Sequence, residues 1–202
     1  PRLLPSYETE RRPVGLRNVR QAARSHGNDR DRVSHPAVNA PTPEGERTRR
    51  DMGADIVRAQ TTQFITDGIA LGYRYEGSPI CWPDGTPEPP DPVKDYHPTA
   101  RPGSRAPHHW LGPGRSVIDL YGAGFVLLRL GPAPADPGAI ARGFADRGVP
   151  LRIETLGDPA LRALYERDLV LVRPDGHVAW RADAPPPDPL ALADRVRGAR
   201  QD

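Results

Sequence analysis

The clearest alternation of apolar and turn-forming residues lies near the C-terminal end of the chain, between Leu169 and Trp180. Leu169–Val172 is a short, continuously apolar run of the kind that forms a buried strand. Arg173–Gly176 has turn chemistry, because Pro presets φ, Asp can bond its own backbone and Gly tolerates positive φ. Val178–Trp180 resumes the apolar run, so the pattern predicts a β-hairpin.

From Ser116 onward, apolar runs alternate with helix-opening signals. Strands are predicted ahead of the hairpin at Val117–Tyr121, Phe125–Leu130 and Leu151–Glu154. Each predicted helix opens with Asp as the cap and Pro in the first turn; these pairs are Asp136-Pro137, Asp158-Pro159 and Asp188-Pro189. The order β-β-α-β-α-β-β-α predicts a thioredoxin-like α/β sandwich with a parallel unit and a closing antiparallel hairpin.

The first part of the chain has helical spacing that Pro13 interrupts. Residues 3–25 are predicted to form two helical pieces, because Pro13 should end or kink the first and can open the second. The second piece carries an apolar stripe, made of Val14, Leu16, Val19, Ala22 and Ala23. The polar segment 25–43 is predicted to be a loop.

A longer helical pattern runs from Glu44 to about Asp67 and is predicted to stop at Gly68. Ile69–Tyr75 should then be extended. The following stretch, residues 76–115, is rich in Pro and excludes long helices. It also mixes Arg, His and aromatic residues, so we expect it to be pinned on a surface instead of forming a flexible linker.

Composition narrows the classes of function. The chain has 28 basic and 26 acidic residues with a net charge of only +2, and Lys94 is its single lysine. No long basic run exists, which argues against nucleic-acid binding. Cys81 is the only cysteine and no apolar segment could span a membrane, so we expect a cytoplasmic protein without an intrachain disulfide. Because the chain starts at Pro1, we expect it to be a piece of a longer protein.

Candidate nucleophilic and metal chemistry is weak. In a thioredoxin-like oxidoreductase a Cys pair opens the first helix, but Gly131–Pro137 contains no thiol, so thiol–disulfide chemistry is excluded. Cys81 is either a nucleophile paired with His108 or His109, or a small buried filler, and we favour the filler. The two adjacent histidines would point to opposite sides of an extended chain, which argues against a metal site.

Several other polar residues have a functional and a structural interpretation. Six residues could line a pocket for an aromatic or anionic ligand, or could dock the irregular stretch on a neighbouring domain, which we favour; they are Tyr73, Tyr75, Arg101, Arg105, His108 and Trp110. Gly122-x-Gly124 lacks the third Gly of a dinucleotide fingerprint. We interpret it, Asp84-Gly85 and Asp175-Gly176 as turns, and expect His177 and Trp180 to pack.

Four segments carry motifs that occur together in one enzyme family. Ser6–Val14 resembles the Tyr-x-x-Glu-Arg-x-Pro helix late in the FAD domain of flavin-dependent aromatic hydroxylases, and Leu71–Pro79 resembles the segment that leaves that domain. Pro102–His108 and Leu171–Arg181 are typical of the C-terminal portion of the same enzymes. The chain is similar to the branch of the para-hydroxybenzoate and phenol hydroxylase superfamily that acts on polycyclic aromatic polyketides, as the tetracenomycin-type hydroxylases do.

The resemblance implies a monooxygenase that uses NADPH or NADH to reduce FAD and hydroxylates an aromatic small molecule with oxygen. It also implies that the flavin motifs lie before Pro1, so we expect no catalytic, cofactor-binding or metal residue in this chain. Residues 1–70 would be the last helices of an FAD-binding domain, 71–115 an irregular linker docked on it, and 116–202 a thioredoxin-like domain. The partners would be the preceding FAD and substrate domains, with a homo-oligomer as a further possibility.

Two alternatives remain open. The chain could be a stand-alone interaction module on a thioredoxin-like scaffold, without catalysis. It could also be one half of a split enzyme whose flavin site lies on a separate polypeptide.

Overall fold

Helices come first along the chain, and a mixed sheet covered by further helices comes last. The computed structural model describes residues 3–30 and 35–199. Its N-terminal elements are α1 (Leu4–Arg30), a 3₁₀ turn (Pro36–Asn39), α2 (Pro43–Phe64) and the short α3 (Asp67–Leu71).

Helix α1 continues through Pro13, so of the two predicted effects of this proline, an end or a kink, the end is wrong. Pro removes one backbone hydrogen bond, but contacts with the rest of the chain hold this helix on both sides of it. The buried face carries Ser6, Glu10 and Val14, whereas Leu16 and Val19 of the predicted stripe are exposed. The predicted loop 25–43 is also wrong in part, because α1 extends to residue 30; residues 31–34 of that loop lie outside the described part of the chain.

Helix α2 confirms the long helical pattern, but its end differs from the prediction. The Oγ1 of Thr42 caps the helix by accepting a hydrogen bond from the amide of Gly45 at 3.1 Å. The helix ends at Phe64, and Gly68 lies inside α3 instead of stopping α2. A Cβ at Gly68 would lie 2.0 Å from the carbonyl oxygen of Pro92, so this glycine permits a close backbone approach. Residues 69–71 are therefore helical and not extended.

The segment before the main sheet differs from the predicted strand Val117–Tyr121. Strands β1 (Trp110–Gly112) and β2 (Arg115–Ser116) form a small antiparallel pair, and Val117–Leu120 is a 3₁₀ turn. Ser116 and Asp119 form a capping box: the Ser116 amide donates to Asp119 Oδ2 at 2.7 Å, and the Ile118 amide donates to Ser116 Oγ at 3.1 Å. These local bonds favour the turn over an extended strand.

The main sheet has four strands in the order β4-β3-β5-β6. Strands β3 and β4 are parallel, and the other two pairs are antiparallel. The predicted hairpin is confirmed, with Leu171 opposite Trp180. The strands are β3 (Phe125–Leu130), β4 (Leu151–Leu156), β5 (Leu169–Val172) and β6 (Val178–Ala182).

Helices cover both faces of this sheet, and each face builds its own apolar core. On one face α5 (Pro159–Tyr165) packs Leu161 and Tyr165 against Val126, Leu128 and Val170. On the other face α4 (Gly138–Asp146) and α6 (Pro189–Val196) share a second core; its members include Ile140, Phe144, Leu192, Val196, Leu127 and Leu171. The fold class is therefore mixed α/β.

The Asp-Pro signals locate the helix starts well. Asp158 Oδ1 accepts the Ala160 amide at 2.8 Å, and Asp188 Oδ1 accepts the Ala191 amide at 2.9 Å. The third prediction is wrong in part: α4 begins at Gly138 with Pro137 as its N-cap, so Asp136 lies one residue before the cap, although its Oδ1 still accepts the Gly138 amide at 3.0 Å.

A charged contact fastens α6 to the residue that follows α4. Nε and Nη2 of Arg147 donate to the two carboxylate oxygens of Asp194 at 2.8 and 2.9 Å. The hydrogen bonds from Arg147 and Arg197 lower the pKa of Asp194 from its ordinary 3.8 to about 2. Within the described residues, no helix is both long and apolar enough to cross a membrane.

The Asp194 contact predicts an acid-dependent loss of stability. A carboxyl whose pKa is lower in the folded chain contributes stability above its unfolded pKa, and that contribution disappears as pH falls through the folded pKa. We expect Asp194→Asn to lower the free energy of unfolding near neutral pH, and the difference from the parent chain to shrink between about pH 4 and about pH 2. Urea unfolding across this range measures it.

The matched control is Asp55→Asn, which removes a carboxylate from an ion pair with Arg58 whose side chains are 67% and 77% exposed. It should change the stability little at any pH. A difference between Asp194→Asn and the parent chain that stays constant down to about pH 2 would contradict the interpretation.

Candidate functional site

Three distant segments meet in one buried polar cluster at the turn between β5 and β6. Arg173 of this turn forms a bidentate ion pair with Glu10 of α1, with Nη1–Oε1 and Nη2–Oε2 distances of 2.5 and 3.0 Å. Ser78 from the irregular stretch donates its hydroxyl to Glu10 Oε1 at 2.6 Å. All three residues are buried. We call the group Glu10, Ser78, Cys81, Arg173 and Asp175 the Arg173 cluster.

The remaining contacts of Arg173 complete the cluster. Its Nη2 donates to Asp175 Oδ2 at 2.8 Å, and its Nη1 lies 3.6 Å from Cys81 Sγ. Burial acts to lower the pKa of Arg173, but the hydrogen bonds to Glu10 and the charge of Asp175 outweigh it and raise that pKa. Burial likewise acts to raise the pKa of Asp175, yet contact with His177 and the charge of Arg173 bring it to about 2. The cluster is therefore a fixed arrangement of charges at neutral pH.

Aromatic rings form a layer beside the charges. The ring of Tyr75 stacks on His177 with centroids 4.2 Å apart, and Tyr73 lies 5.4 Å from the same imidazole. Arg11 donates to the Tyr75 hydroxyl at 2.9 Å. Neither ring nitrogen of the buried His177 has a hydrogen-bond partner, and Nδ1 lies 3.5 Å from Asp175 Oδ1. His177 thus packs through its ring faces, as the sequence predicted.

Backbone hydrogen bonds hold the irregular stretch against the start of β6, as expected of a pinned segment. The amide of Gly103 donates to the Val178 carbonyl at 2.8 Å, and its own carbonyl accepts from the Tyr75 amide at 2.9 Å. Gly103 has φ of +90°, and a Cβ there would lie 2.8 Å from the Tyr75 carbonyl oxygen. Glycine is therefore required where these segments touch.

The six residues proposed as either a pocket or a docking surface do not converge on one pocket. Tyr73 and Tyr75 lie beside His177, whereas Arg101 binds Glu76 at 2.5 Å and the carbonyl of Thr86 at 3.1 Å. His108 and Trp110 form a separate edge-to-face pair with centroids 4.7 Å apart, and Trp110 is 62% exposed. The Arg101 contacts stay within the irregular stretch, so docking of the stretch on a neighbouring domain stays a prediction.

Cys81 behaves as a buried filler. Its sulfur contacts Arg173 and, at 3.7 Å, the carbonyl oxygen of Val178. Burial raises the pKa of the thiol, which opposes a nucleophilic role. His109 is engaged elsewhere, with Nε2 2.7 Å from Asp158 Oδ2. In residues 3–30 and 35–199 no group of three His, Cys, Asp or Glu side chains could hold a metal ion.

Asp84 is a turn residue, as predicted, and also has a role that the sequence did not indicate. Its Oδ1 accepts the Thr86 amide at 3.0 Å, which is local turn chemistry. Its Oδ2 accepts from Arg181 Nε at 2.6 Å, and Arg181 also donates to Glu166 at 2.8 Å. The Arg181 side chain is only 1% exposed, so this is a second buried arginine that ties the irregular stretch to the sheet.

Glu10 is the principal residue that sequence reasoning missed. In the sequence it stands out only as the acid of the Tyr-x-x-Glu-Arg-x-Pro motif within Ser6–Val14. Its partner Arg173 stands in a second motif, 163 residues away. The sequence offers one indication of this contact, which is that the motifs in Ser6–Val14 and Leu171–Arg181 occur together. Two motifs of one family can lie far apart in sequence and still contact each other.

The described residues do not fit a flavin. A dinucleotide pyrophosphate sits on the free amides of a helix N-terminus after a strand. At both strand-to-helix connections of the sheet an aspartate side chain already accepts one of the first amides of the helix: Asp136 accepts that of Gly138 at α4, and Asp158 accepts that of Ala160 at α5. Their negative charge would repel a phosphate. We therefore derive no catalytic step from these residues.

The family follows from sequence comparison. The chain belongs to the aromatic-ring hydroxylases: the model of that family's C-terminal region matches residues 99–199. This span contains Arg173 and the whole four-stranded sheet.

Similar proteins agree with that assignment. A tetracenomycin B2 monooxygenase-dioxygenase from Streptomyces olivaceus is 34% identical over 96% of this chain and 33% of its own length. A 4-methyl-5-nitrocatechol 5-monooxygenase from a Burkholderia species is 34% identical over 96% of this chain and 35% of its own length. The chain thus spans about a third of the length of the curated relatives it matches.

Solved structures extend the likeness to nearly the whole chain. The rebeccamycin biosynthetic enzyme RebC with reduced flavin is similar with a TM-score of 0.87 and 43% identity, over 99% of this chain and 37% of that one. The flavin-dependent monooxygenase PieE in complex with FAD and substrate has a TM-score of 0.76 and 32% identity, over 97% of this chain and 39% of that one. The fold is that of the C-terminal part of flavin monooxygenases.

The Arg173 cluster predicts a strong energetic coupling. We expect Glu10→Leu or Arg173→Met alone to lower the free energy of unfolding by about 3–5 kcal/mol, because each leaves a buried charge without its partner. The double variant should recover most of that loss, since it leaves neither Glu10 nor Arg173 unpaired. Urea unfolding of the four chains gives the coupling energy.

The control is Glu8→Leu, two residues earlier on the same helix. Glu8 pairs with Arg12 on the surface, where the side chains are 75% and 71% exposed. This change should cost less than about 1 kcal/mol. Equal losses for Glu8→Leu and Glu10→Leu, or additive losses in the double variant, would be incompatible with a coupled pair.

Proposed function

We propose that this chain is the C-terminal part of an FAD-dependent aromatic monooxygenase that hydroxylates a polycyclic aromatic substrate with NADPH or NADH and oxygen. The flavin and most of the substrate site would be held by residues outside this chain. The chain's own part is structural: it fastens the final helices of the flavin-binding domain to a C-terminal α/β unit.

The observation that carries this proposal is the Glu10–Arg173 ion pair. It joins the two segments that carry the most distinctive family motifs, and both partners are buried. A buried bidentate pair needs exact placement of both backbones. Such a contact suits a permanent junction between parts of one protein better than a transient encounter.

Exposed apolar residues on the two long helices support a missing neighbour. Large side chains of α1 and α2 lie open to solvent at 40% exposure or more; they are Leu4, Tyr7, Leu16, Val19, Ile56, Val57 and Phe64. Large apolar side chains left open to solvent in such number on two helices are expected to be covered by another part of the protein. We assign it to the preceding part of the flavin-binding domain.

We further propose the division into domains expected from the sequence. Residues 1–70 would close the FAD-binding domain, 71–115 would be the docked linker, and 116–202 would form the thioredoxin-like unit. The strand order β4-β3-β5-β6 with one parallel pair and a closing hairpin supports a thioredoxin-like topology. The single cysteine, Cys81, lies outside that unit, so it would be a scaffold without dithiol chemistry.

The substrate class rests on the relatives. Several are polyketide or polycyclic-aromatic hydroxylases by name, among them putative polyketide hydroxylases from Streptomyces coelicolor and Streptomyces halstedii and a structure of aklavinone-11 hydroxylase with FAD and aklavinone. Others act on single rings, such as phenol 2-monooxygenase from a Pseudomonas species. We favour the polycyclic class and a cytoplasmic location.

The test compares the intact protein with this chain alone. The intact protein should purify with the absorbance of bound flavin and should oxidise NADPH or NADH faster when a polycyclic phenol is supplied. This chain alone should leave the fluorescence of added FAD unchanged, because we place the flavin site in residues outside this chain. Absorbance, reductant consumption and product mass are the measurements.

Three outcomes would overturn the proposal. Stoichiometric quenching of FAD fluorescence by the chain alone would place a flavin site within it. A colourless intact protein that consumes no reductant would favour a stand-alone interaction module, whereas copurification with a yellow second polypeptide would favour a split enzyme.

A further inference from the structure

A small cavity lies between α3, the irregular stretch and the segment before β1. Its volume is about 20 Å³, which is room for about one water molecule, and it is partly open to solvent. Polar side chains from three segments line it; they include Tyr73, Arg74, Tyr96, His97, Ser104 and Arg105. This cavity is separate from the Arg173 cluster, none of whose members lines it.

Two buried polar atoms on the cavity wall have no hydrogen-bond partner. They are Oγ of Ser104 and Nε of Arg74. Ser104 is 3% exposed and the Arg74 side chain 9%. The Arg74 Nε lies 3.4 Å from Glu76 Oε1, which is an ion-pair contact without a hydrogen bond. Leaving such groups unpaired costs free energy, so a guest that accepts from both would be stabilising.

Charge on the wall favours an anion as that guest. Among the described residues, the side chain of Arg105 has no hydrogen-bond or ion-pair partner. Tyr96 lies in the same wall; burial raises the pKa of Tyr96, and the positive charge of Arg105 acts to lower it. The one carboxylate that lines the cavity, Asp91, is already neutralised by a bidentate contact from Arg17, with both distances 2.6 Å. Arg74 is balanced by Glu76 and Glu88. The unbalanced charge is therefore that of Arg105.

We propose that this cavity binds a small oxyanion, with Arg105 as its counter-charge and Ser104 and Arg74 as hydrogen-bond donors. A carboxylate or a phosphate group meets this requirement, since each presents several acceptor oxygens to a guanidinium.

The test uses the intact protein with acetate labelled with ¹³C and with inorganic phosphate, at constant ionic strength. The width of the ¹³C or ³¹P resonance reports binding. We expect Arg105→Gln to weaken binding about tenfold or more, the size of a lost charge-assisted hydrogen bond. Arg115→Gln, which removes an exposed arginine from β2, should leave binding within about twofold of the parent protein.

Ser104→Ala gives a second, independent readout. It removes a buried hydroxyl that has no partner in the empty cavity, so the variant should fold at least as stably as the parent without anion but bind the anion more weakly. Broadening of acetate alone that depends on Arg105 identifies a carboxylate site, and broadening of phosphate alone identifies a phosphate site. If the Arg105→Gln and Arg115→Gln proteins broaden the acetate and phosphate resonances equally, the proposal is overturned.

Discussion

The buried ion pair between Glu10 and Arg173 is the contact on which the arrangement of this chain depends. A charge that has left water is tolerated only when its partner is held in place. Each of these residues therefore fixes the position of the other. The pair holds α1 over the turn after β5, and Ser78 donates to the same carboxylate. Pro13 can stay inside α1 because the helix is anchored by these tertiary contacts before it and by Arg17 after it.

Arginine side chains hold the irregular stretch in place through hydrogen bonds that regular secondary structure would otherwise supply. The stretch between α3 and β1 contains neither helix nor strand among the named elements, so many of its backbone groups need other partners. Arg17 reaches the carbonyls of Gly68 and Ile69, Arg195 reaches that of Cys81, and Arg181 holds Asp84. A planar fork with five donors can satisfy a carboxylate and a carbonyl together, which a lysine ammonium does less well.

Local chemistry was predictable from the sequence, whereas partnerships across the chain were not. The hairpin Leu169–Trp180 and the aspartate caps of α5 and α6 follow from rules that act over a few residues, and the structure confirms them. The strand predicted at Val117 failed because a capping box competed with its apolar pattern. The apolar stripe predicted for α1 failed because a helix can bury a polar face once partners such as Arg173 supply the charge and hydrogen bonds. The motifs that contain Glu10 and Arg173 can be recognised in the sequence. No feature near either residue indicates that the two side chains form an ion pair.

The position of Cys81 gives the chain an internal reporter. Its thiol lies against the guanidinium of Arg173, beneath the contact with α1, and it is 4% exposed. A reagent from solution can reach this sulfur only when the packing around Arg173 opens. Since the sequence contains no other cysteine, thiol modification reports on this place alone. The rate of that modification therefore measures how often the surroundings of the Glu10–Arg173 pair open.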